Sequence, residues 1–408
     1  MSFAGPIAAA CAVLSFAAWV YLVFGRSLFW LADSRLGHAP AAPERWPSVG
    51  VVIPARDEAE VIGGAVGTVL GSDYPGPLRV VLVDDESSDN TAEAARGAAS
   101  AAGKDIEVVG TAPRPQGWAG KPWAMKTGVD ALAAPAAPEY ILFADADIVF
   151  SPRSLGRLVA RAVSGGYDLT SLMVLLRAET AWERLLVPAF VYFFAKLYPP
   201  GRVSDPASKT AAAAGGCMLV STGALERAGG IEAIKGEIID DCALARAIKT
   251  NGPIWLGLGE EEKSVRGYGG VKGVWRMVAR TAYTQLGYSP LLLAGTLAGM
   301  ALLYAVPPLA VALSPLHGSP TAAWAGLGAW LLQAVSFIPF LRLYGAGPLV
   351  SFALPAAGVL YGAMTLDSAL RHRQGRGAEW KGRVRGGKAG GAGGAGGAGA
   401  AGDAKGER

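Results

Sequence analysis

The chain has 408 residues, of which 51% are hydrophobic and only 17% charged, with a mean hydropathy of +0.32. So few charges exclude a disordered chain, which is charge-rich and apolar-poor, and argue against a surface that is wet throughout. A balance of 37 Lys and Arg against 33 Asp and Glu leaves +4, too little for nucleic-acid binding by bulk charge. Cys11, Cys217 and Cys242 lack CxxC spacing, and His38, His317 and His372 lie far apart. This disfavours a disulfide framework, a zinc site and a His-dependent triad, so any metal must be held mainly by oxygen.

Residues 3–24 carry no charge, and about 20 such residues span a bilayer as a helix. A secretory signal peptide is the competing reading. It is weakened by the missing basic n-region and by an apolar run longer than a usual h-region. Residues 1–25 are therefore expected to be a retained transmembrane anchor, with Arg26 and Arg35 placing the downstream side in the cytoplasm. Residues 48–270 read as an α/β unit. VGVVIP (49–54), LRVVLVDD (78–85), IEVVG (106–110) and YILFADADIVF (140–150) are short apolar runs of the kind buried on both faces of a mostly parallel sheet. Helix-compatible stretches at 58–70 and 89–101 alternate with them, and ligands are expected at the carboxyl ends of the strands.

From Thr281 to Leu341 no Lys, Arg, Asp or Glu occurs, and 343–366 is likewise uncharged. Within 281–370 three membrane segments are expected, near 291–313, 322–341 and 347–366. One N-terminal and three C-terminal spans would put both chain ends on the non-cytoplasmic side. The basic juxtamembrane segment 371–385, suited to anionic headgroups, argues instead for a cytoplasmic end and so for one re-entrant or interfacial segment. The Gly/Ala-rich residues 386–408 read as a flexible tail.

Four acidic groups recur in these runs. Asp57 and Glu58 follow the first strand, where an acidic pair also suits a helix N-terminus. Asp84 and Asp85 end the second. Capping accounts for Asp89 but not for two adjacent carboxylates, which can accept hydrogen bonds from a nucleobase imide or ribose. Asp145 and Asp147, read as one extended strand, would share a face and repel unless a cation such as Mg²⁺ lay between them. Asp240 and Asp241 open a helical pattern, where a carboxylate can cap the helix or act as a general base. Lys121 and Lys126 are expected in a Gly-bearing loop (117–128). GGCMLVS (215–221) reads as a glycine-opened strand that admits close approach of another molecule. The aromatic stretch 182–198 reads as an interfacial helix rather than a buried one.

In this order, VVIPARDE, DDESSDNT, GKPWAMKTG, FADAD, GGCMLVS and IDDCAL resemble glycosyltransferase family 2, the inverting GT-A enzymes that use nucleotide sugars. The flanking apolar segments, GWAGKPWA, TQLGYSPLLLAG (284–295) and WKGR (380–383) resemble the hopene-associated glycosyltransferases of bacterial hopanoid biosynthesis. The resemblance implies a nucleotide-diphosphate sugar donor and a hopanoid or other polyisoprenoid lipid acceptor. It also implies an inner-membrane, multi-pass location with the catalytic part in the cytoplasm. Asp57, Glu58 and Asp85 would line the nucleotide pocket, with Lys121 near the diphosphate and Asp145 on the nucleotide sugar. Asp147 would hold Mg²⁺ or Mn²⁺, Asp241 would be the base, and Gly215, Gly216 and Asp240 would lie on the acceptor side. WRMVART (275–281) departs from the Gln-x-x-Arg-Trp pattern of processive synthases, which favours transfer of a single sugar. A polyprenyl-phosphate sugar synthase shares every cytosolic motif. A nucleotide-sensing transporter would need intramembrane ionisable residues, and none occurs in the charge-free spans.

Overall fold

A computed structural model of the chain describes residues 4–36 and 42–374 and the backbone of 379–380 and 383–384. Eight strands form one sheet: β1 (Val49–Ala55), β2 (Leu78–Asp84), β3 (Glu107–Gly110), β4 (Tyr140–Ala144), β5 (Ile148–Val149), β6 (Leu169–Leu175), β7 (Cys217–Ser221) and β8 (Ile254–Ser264). Their spatial order is β3-β2-β1-β4-β7-β6-β8-β5. The first four are parallel, β7 runs antiparallel to both β4 and β6, and β8 is parallel to β6. The period-two alternation is visible in where side chains go. Val49, Val51 and Ile53 enter one buried layer and Val52 the opposite one, as expected of a sheet covered on both faces.

The connecting helices are α1 (Ala4–Val20), α2 (Ile62–Leu70), α3 (Thr91–Ala101), α4 (Gly120–Leu132), α5 (Ser154–Gly165), α6 (Ala181–Leu197), α7 (Pro200–Val203), α8 (Thr222–Arg227), α9 (Asp240–Lys249) and α10 (Val271–Gln285). Two expectations are corrected here. The run 140–150 is not one strand. It breaks at Asp145, whose carbonyl accepts from the Ile148 N–H at 3.1 Å, and β5 then pairs with β8 at the far edge of the sheet. Asp145 and Asp147 thus sit in a turn, and strand periodicity does not relate them. Residues 120–128 are likewise not a loop but the start of α4. Pro122 falls in the first turn, where a missing N–H costs nothing. α4 lies so close to the sheet that a Cβ at Gly128 would stand 2.3 Å from Val52.

The remaining helices are α11 (Pro290–Met300), α12 (Val306–Ala312), α13 (Ser314–His317), α14 (Pro320–Leu343) and α15 (Leu354–Arg373). Four helical segments are long and apolar enough to cross a membrane: Ala4–Gly25, Pro290–Ala312, Pro320–Leu343 and Pro348–Arg373. Pro307 has no N–H for the Leu303 carbonyl, and a π-turn (Ala301–Ala305) precedes it. That carbonyl instead accepts from Trp19 Nε1 and Gln333 Nε2, both at 2.9 Å, so neighbouring helices satisfy what the proline leaves open.

The last segment does not run as one rod. Tyr344, just past α14, meets the sheet domain, its hydroxyl accepting from the Leu176 N–H at 3.3 Å. A 3₁₀ stretch (Pro348–Ala353) then folds back along α14, where Trp330 Nε1 donates to the Phe352 carbonyl. α15 returns antiparallel to α11, with Gly358 against Tyr304, and His372 stacked on Tyr288 at 4.3 Å. Its C-terminal end therefore lies at the end of the bundle where α11 begins. Both ends of this segment thus lie at one end of the bundle, the arrangement expected of a re-entrant segment. His38, the basic residues Arg376, Lys381 and Arg385 with their neighbours, and the tail 386–408 lie outside the described residues.

Candidate active site

A cavity of about 530 Å³ opens where β4, β7, α9 and α10 converge. Its walls include Asp145, Asp147, Gly215, Gly216, Asp241, Ser264 and Arg266, with Phe190 and Phe194 from α6 and Arg276 and Arg280 from α10. Carboxylates from two distant stretches of sequence, Asp145 with Asp147 and Asp241, thus share one space.

Asp241 occupies the first turn of α9. Its Oδ2 accepts from the Gly215 N–H at 2.9 Å and its Oδ1 from the Cys242 N–H at 2.6 Å. These donors fix the carboxylate while leaving lone pairs toward the cavity. Desolvation and the adjacent Asp240 push its pKa up, against Lys121, which lowers it. Gly215 leaves room for this closeness, since a Cβ there would crowd Lys121 Nζ at 3.1 Å and Asp241 Oδ2 at 3.2 Å.

Lys121 projects from the first turn of α4. Its Nζ lies 2.7 Å from Asp145 Oδ1 and 3.6 Å from Asp240 Oδ2, and it donates to the Gly215 carbonyl at 3.4 Å. Burial alone would lower its pKa, but Asp145 and Asp240 outweigh burial and raise it. The two carboxylates hold it as a cation behind the part of the cavity wall that Asp145 forms. Lys126 pairs with Asp130 and Glu232 instead, away from the site. Asp240 is buried and faces Lys121 rather than the cavity.

Asp147 accepts from Ser264 Oγ at 2.5 Å and lies 3.5 Å from Arg266 Nε. Arg266 is held in place by Glu58, whose Oε2 is 2.5 Å from its Nη2. Repulsion between Asp145 and Asp147 is thus relieved by two side-chain cations, one each. The donor set of Asp145, Asp147 and Ser264 is all oxygen. Among the described residues no three His, Cys, Asp or Glu gather into a metal cage. Such a sparse set fits a hard divalent ion that keeps several waters and takes substrate phosphate oxygens.

Asp57, Glu58 and Asp85 stand at the carboxyl ends of β1 and β2 and do not line this cavity. Asp57 has φ +51°; its Oδ1 accepts from the Ser88 N–H at 2.7 Å and Ser88 Oγ at 3.0 Å. These bonds hold its carboxyl below the usual range. Asp85 is fully buried. Its Oδ1 accepts from Thr111 Oγ1 at 2.9 Å, and Arg56 donates to its carbonyl.

Sequence reasoning missed Arg266, Ser264, Arg276 and Arg280. The last two had a readable signal, since two arginines four apart in WRMVAR share one face of a helix. Of the aromatic stretch, Phe190 and Phe194 reach the cavity. Phe193 packs on Tyr304 and Tyr361 instead, with centroids 5.4 and 4.9 Å apart.

Comparison with known proteins bears on the fold and the family. The chain is similar to the mannosyltransferase PcManGT from Pyrobaculum calidifontis, solved with GDP-Man and Mn²⁺, at 18% identity and a TM-score of 0.53 over 90% of this chain and 99% of that one. It is also similar to glucosyl-3-phosphoglycerate synthase from Mycobacterium tuberculosis, solved with Mg²⁺ and UDP, at 19% identity and a TM-score of 0.36 over 54% of this chain and 72% of that one. No curated protein matches the chain. Residues 47–254, which run from the start of the sheet to the base of β8, match the family described as glycosyltransferase like family 2. With a GT-A-like sheet and an acidic, cation-lined cavity at its strand ends, the chain belongs to that family.

Proposed function

We propose that the protein is a membrane-bound, inverting glycosyltransferase that moves one sugar from a nucleotide-diphosphate donor to a hydroxyl of a lipid, of the hopanoid or another polyisoprenoid class. The observation that carries this reading is the shared cavity. Asp241 is held open in the same space as Asp145 and Asp147, and the remaining wall comes from α6, which packs on the apolar helices.

The acceptor hydroxyl attacks the anomeric carbon from the face opposite the diphosphate. The new C–O bond forms as the bond to the diphosphate breaks, the electron pair leaves with the nucleotide, and the proton passes to Asp241. Because attack is in line, configuration inverts. Asp147 would hold a divalent cation, which when bound would neutralise charge on the departing diphosphate. Lys121 and Arg266 hold the floor of the donor site, Lys121 through Asp145 and Arg266 through Asp147. Asp57, Glu58 and Asp85 border the nucleotide at the position where doubly wound sheets receive it. Gly215 and Gly216 shape the acceptor side, and Asp240 acts on it through Lys121. Charge-free helices on either side of the sheet domain support an inner-membrane location with the sheet domain in the cytoplasm, in keeping with Arg26 and Arg35 after the first helix.

The test is nucleotide diphosphate release by the detergent-purified protein across a panel of nucleotide sugars, with Mn²⁺ or EDTA, with and without a hopanoid-rich lipid extract. Lipid-stimulated, metal-dependent release from one donor is the expected result. No release from any donor by folded protein would overturn it.

A further inference from the structure

The acceptor wall is a slot between two helices. Glu183 Oε1 in the first turn of α6 accepts from the Gly270 N–H at 2.9 Å, just before α10. At the other end Gln285 Nε2, the last residue of α10, donates to the Tyr198 hydroxyl just past α6. The two helices therefore run side by side in the same direction, pinned at both ends, with the cavity between them. α6 offers Phe190 and Phe194, and α10 offers Arg276 and Arg280. Each pair is spaced by four and so occupies one helix face.

The charges in this space are not equivalent. Lys121 is matched by Asp145 and Asp240, and Arg266 by Glu58 and Asp147. Among the described residues Arg276 and Arg280 have no carboxylate within 4.0 Å, so the uncompensated positive charge of the cavity sits opposite its aromatic wall. Guanidinium groups so placed suit a phosphate, which they bind through paired N–H donors. A phosphate acting as nucleophile arrives already ionised and needs no base, whereas Asp241 is placed to deprotonate a hydroxyl. The anion and the nucleophile are then separate groups.

Resting on the glycosyltransferase reading, we propose that the acceptor is an anionic amphiphile, with its apolar chain along Phe190 and Phe194, a phosphate-type group at Arg276 and Arg280, and a distinct hydroxyl at Asp241.

The test reads binding without donor, using the full chain in neutral detergent. The probes are a short-chain phosphatidylglycerol, which has a phosphodiester and free hydroxyls, and the diacylglycerol of equal chain length, which has a hydroxyl and no phosphate. The expected result is a preference for phosphatidylglycerol of at least about tenfold. Arg276→Gln with Arg280→Gln erases it, while Lys272→Gln keeps it; Lys272 lies one turn earlier on α10 and does not line the cavity. Both arginines are exposed, so circular dichroism of the double variant should match wild type. The proposal is overturned by equal binding of the two lipids or by a preference that survives the double substitution. Equal loss in Lys272→Gln would also overturn it, because the charge would then serve the bilayer surface. So would a loss of UDP or GDP affinity with the lipid preference intact, because the pair would then serve the donor. Absence of sugar transfer with the lipid preference present would instead count against the glycosyltransferase reading alone.

Discussion

The two ends of the acidic half of the sheet use carboxylates in opposite ways. Beyond β1 and β2 three of them, Asp57, Asp84 and Asp89, are spent on backbone. Asp57 takes the Ser88 N–H, Asp84 the Ser87 N–H at 2.9 Å, and Asp89 the Ala59 N–H at 3.1 Å. Ser87 and Thr91 return the favour by accepting from the N–H groups of Asp57 and Glu58 at 3.0 and 2.8 Å. Two loops are thereby stitched into one rigid edge. Beyond β4 and at the start of α9 the carboxylates instead meet side-chain cations or face a cavity, as Asp145, Asp147 and Asp241 do. In sequence both regions read as clusters of Asp at strand or helix ends. What separates them is access to the cavity: Asp145, Asp147 and Asp241 line it, and Asp57, Asp84 and Asp89 do not.

That contrast can be broken most directly at Asp241. Asp241→Asn is expected to reduce sugar transfer by about 10²–10⁴-fold, the usual worth of a general base, while donor affinity by calorimetry stays within about threefold. Loss of donor binding in that variant would move Asp241 to the structural group. Next in size is Ser264→Ala, which frees Asp147 from its hydroxyl partner. The Mn²⁺ concentration giving half-maximal turnover should rise about tenfold, as for other groups that orient a metal ligand.

A pH profile sharpens the same contrast. Desolvation and Asp240 raise Asp241 to about 6, and only its ionised form can take a proton. Transfer should therefore fall as pH drops through about 6, and a profile flat to pH 4.5 would contradict the assignment.

On the stitched edge the expected effects are on stability. Asp57→Asn keeps an acceptor and tolerates the positive φ, whereas Asp57→Ala should cost about 1–2 kcal/mol in denaturant unfolding. Glu183 gives an effect that depends on pH. Burial alone would raise its carboxyl, but N–H groups of Thr180, Gly270 and Glu179 bring it down to about 2. With the folded value below the unfolded one, its contribution is complete above about 4.5 and fades toward pH 2. The Tm gap between wild type and Glu183→Gln should accordingly narrow on acidification from pH 7 to 3.

Much of the fold is readable because apolar runs bounded by turn residues stand out, as in β1, β2 and β4. β6 and β8 escaped notice for a physical reason. LTSLMVL is diluted by Thr and Ser, and IWLGLGEEEKS ends in charges that belong to the sheet edge and the site. Asp145, Asp147 and Asp241 could be picked out one by one, but the turn joining the first two could not, since YILFADADIVF is apolar on both sides. Arg266 was invisible for a similar reason: its partners Glu58 and Asp147 are far away in sequence, and only the closure of β8 against β5 brings them together.

The fold-back after α14 has a consequence for labelling. Tyr344 and His372 flank a segment whose two ends lie at the end of the bundle where α11 begins. In the proposed membrane arrangement, cysteines placed just before and just after that segment would meet an impermeant thiol reagent from the same face, and a reagent confined to the opposite face would reach neither.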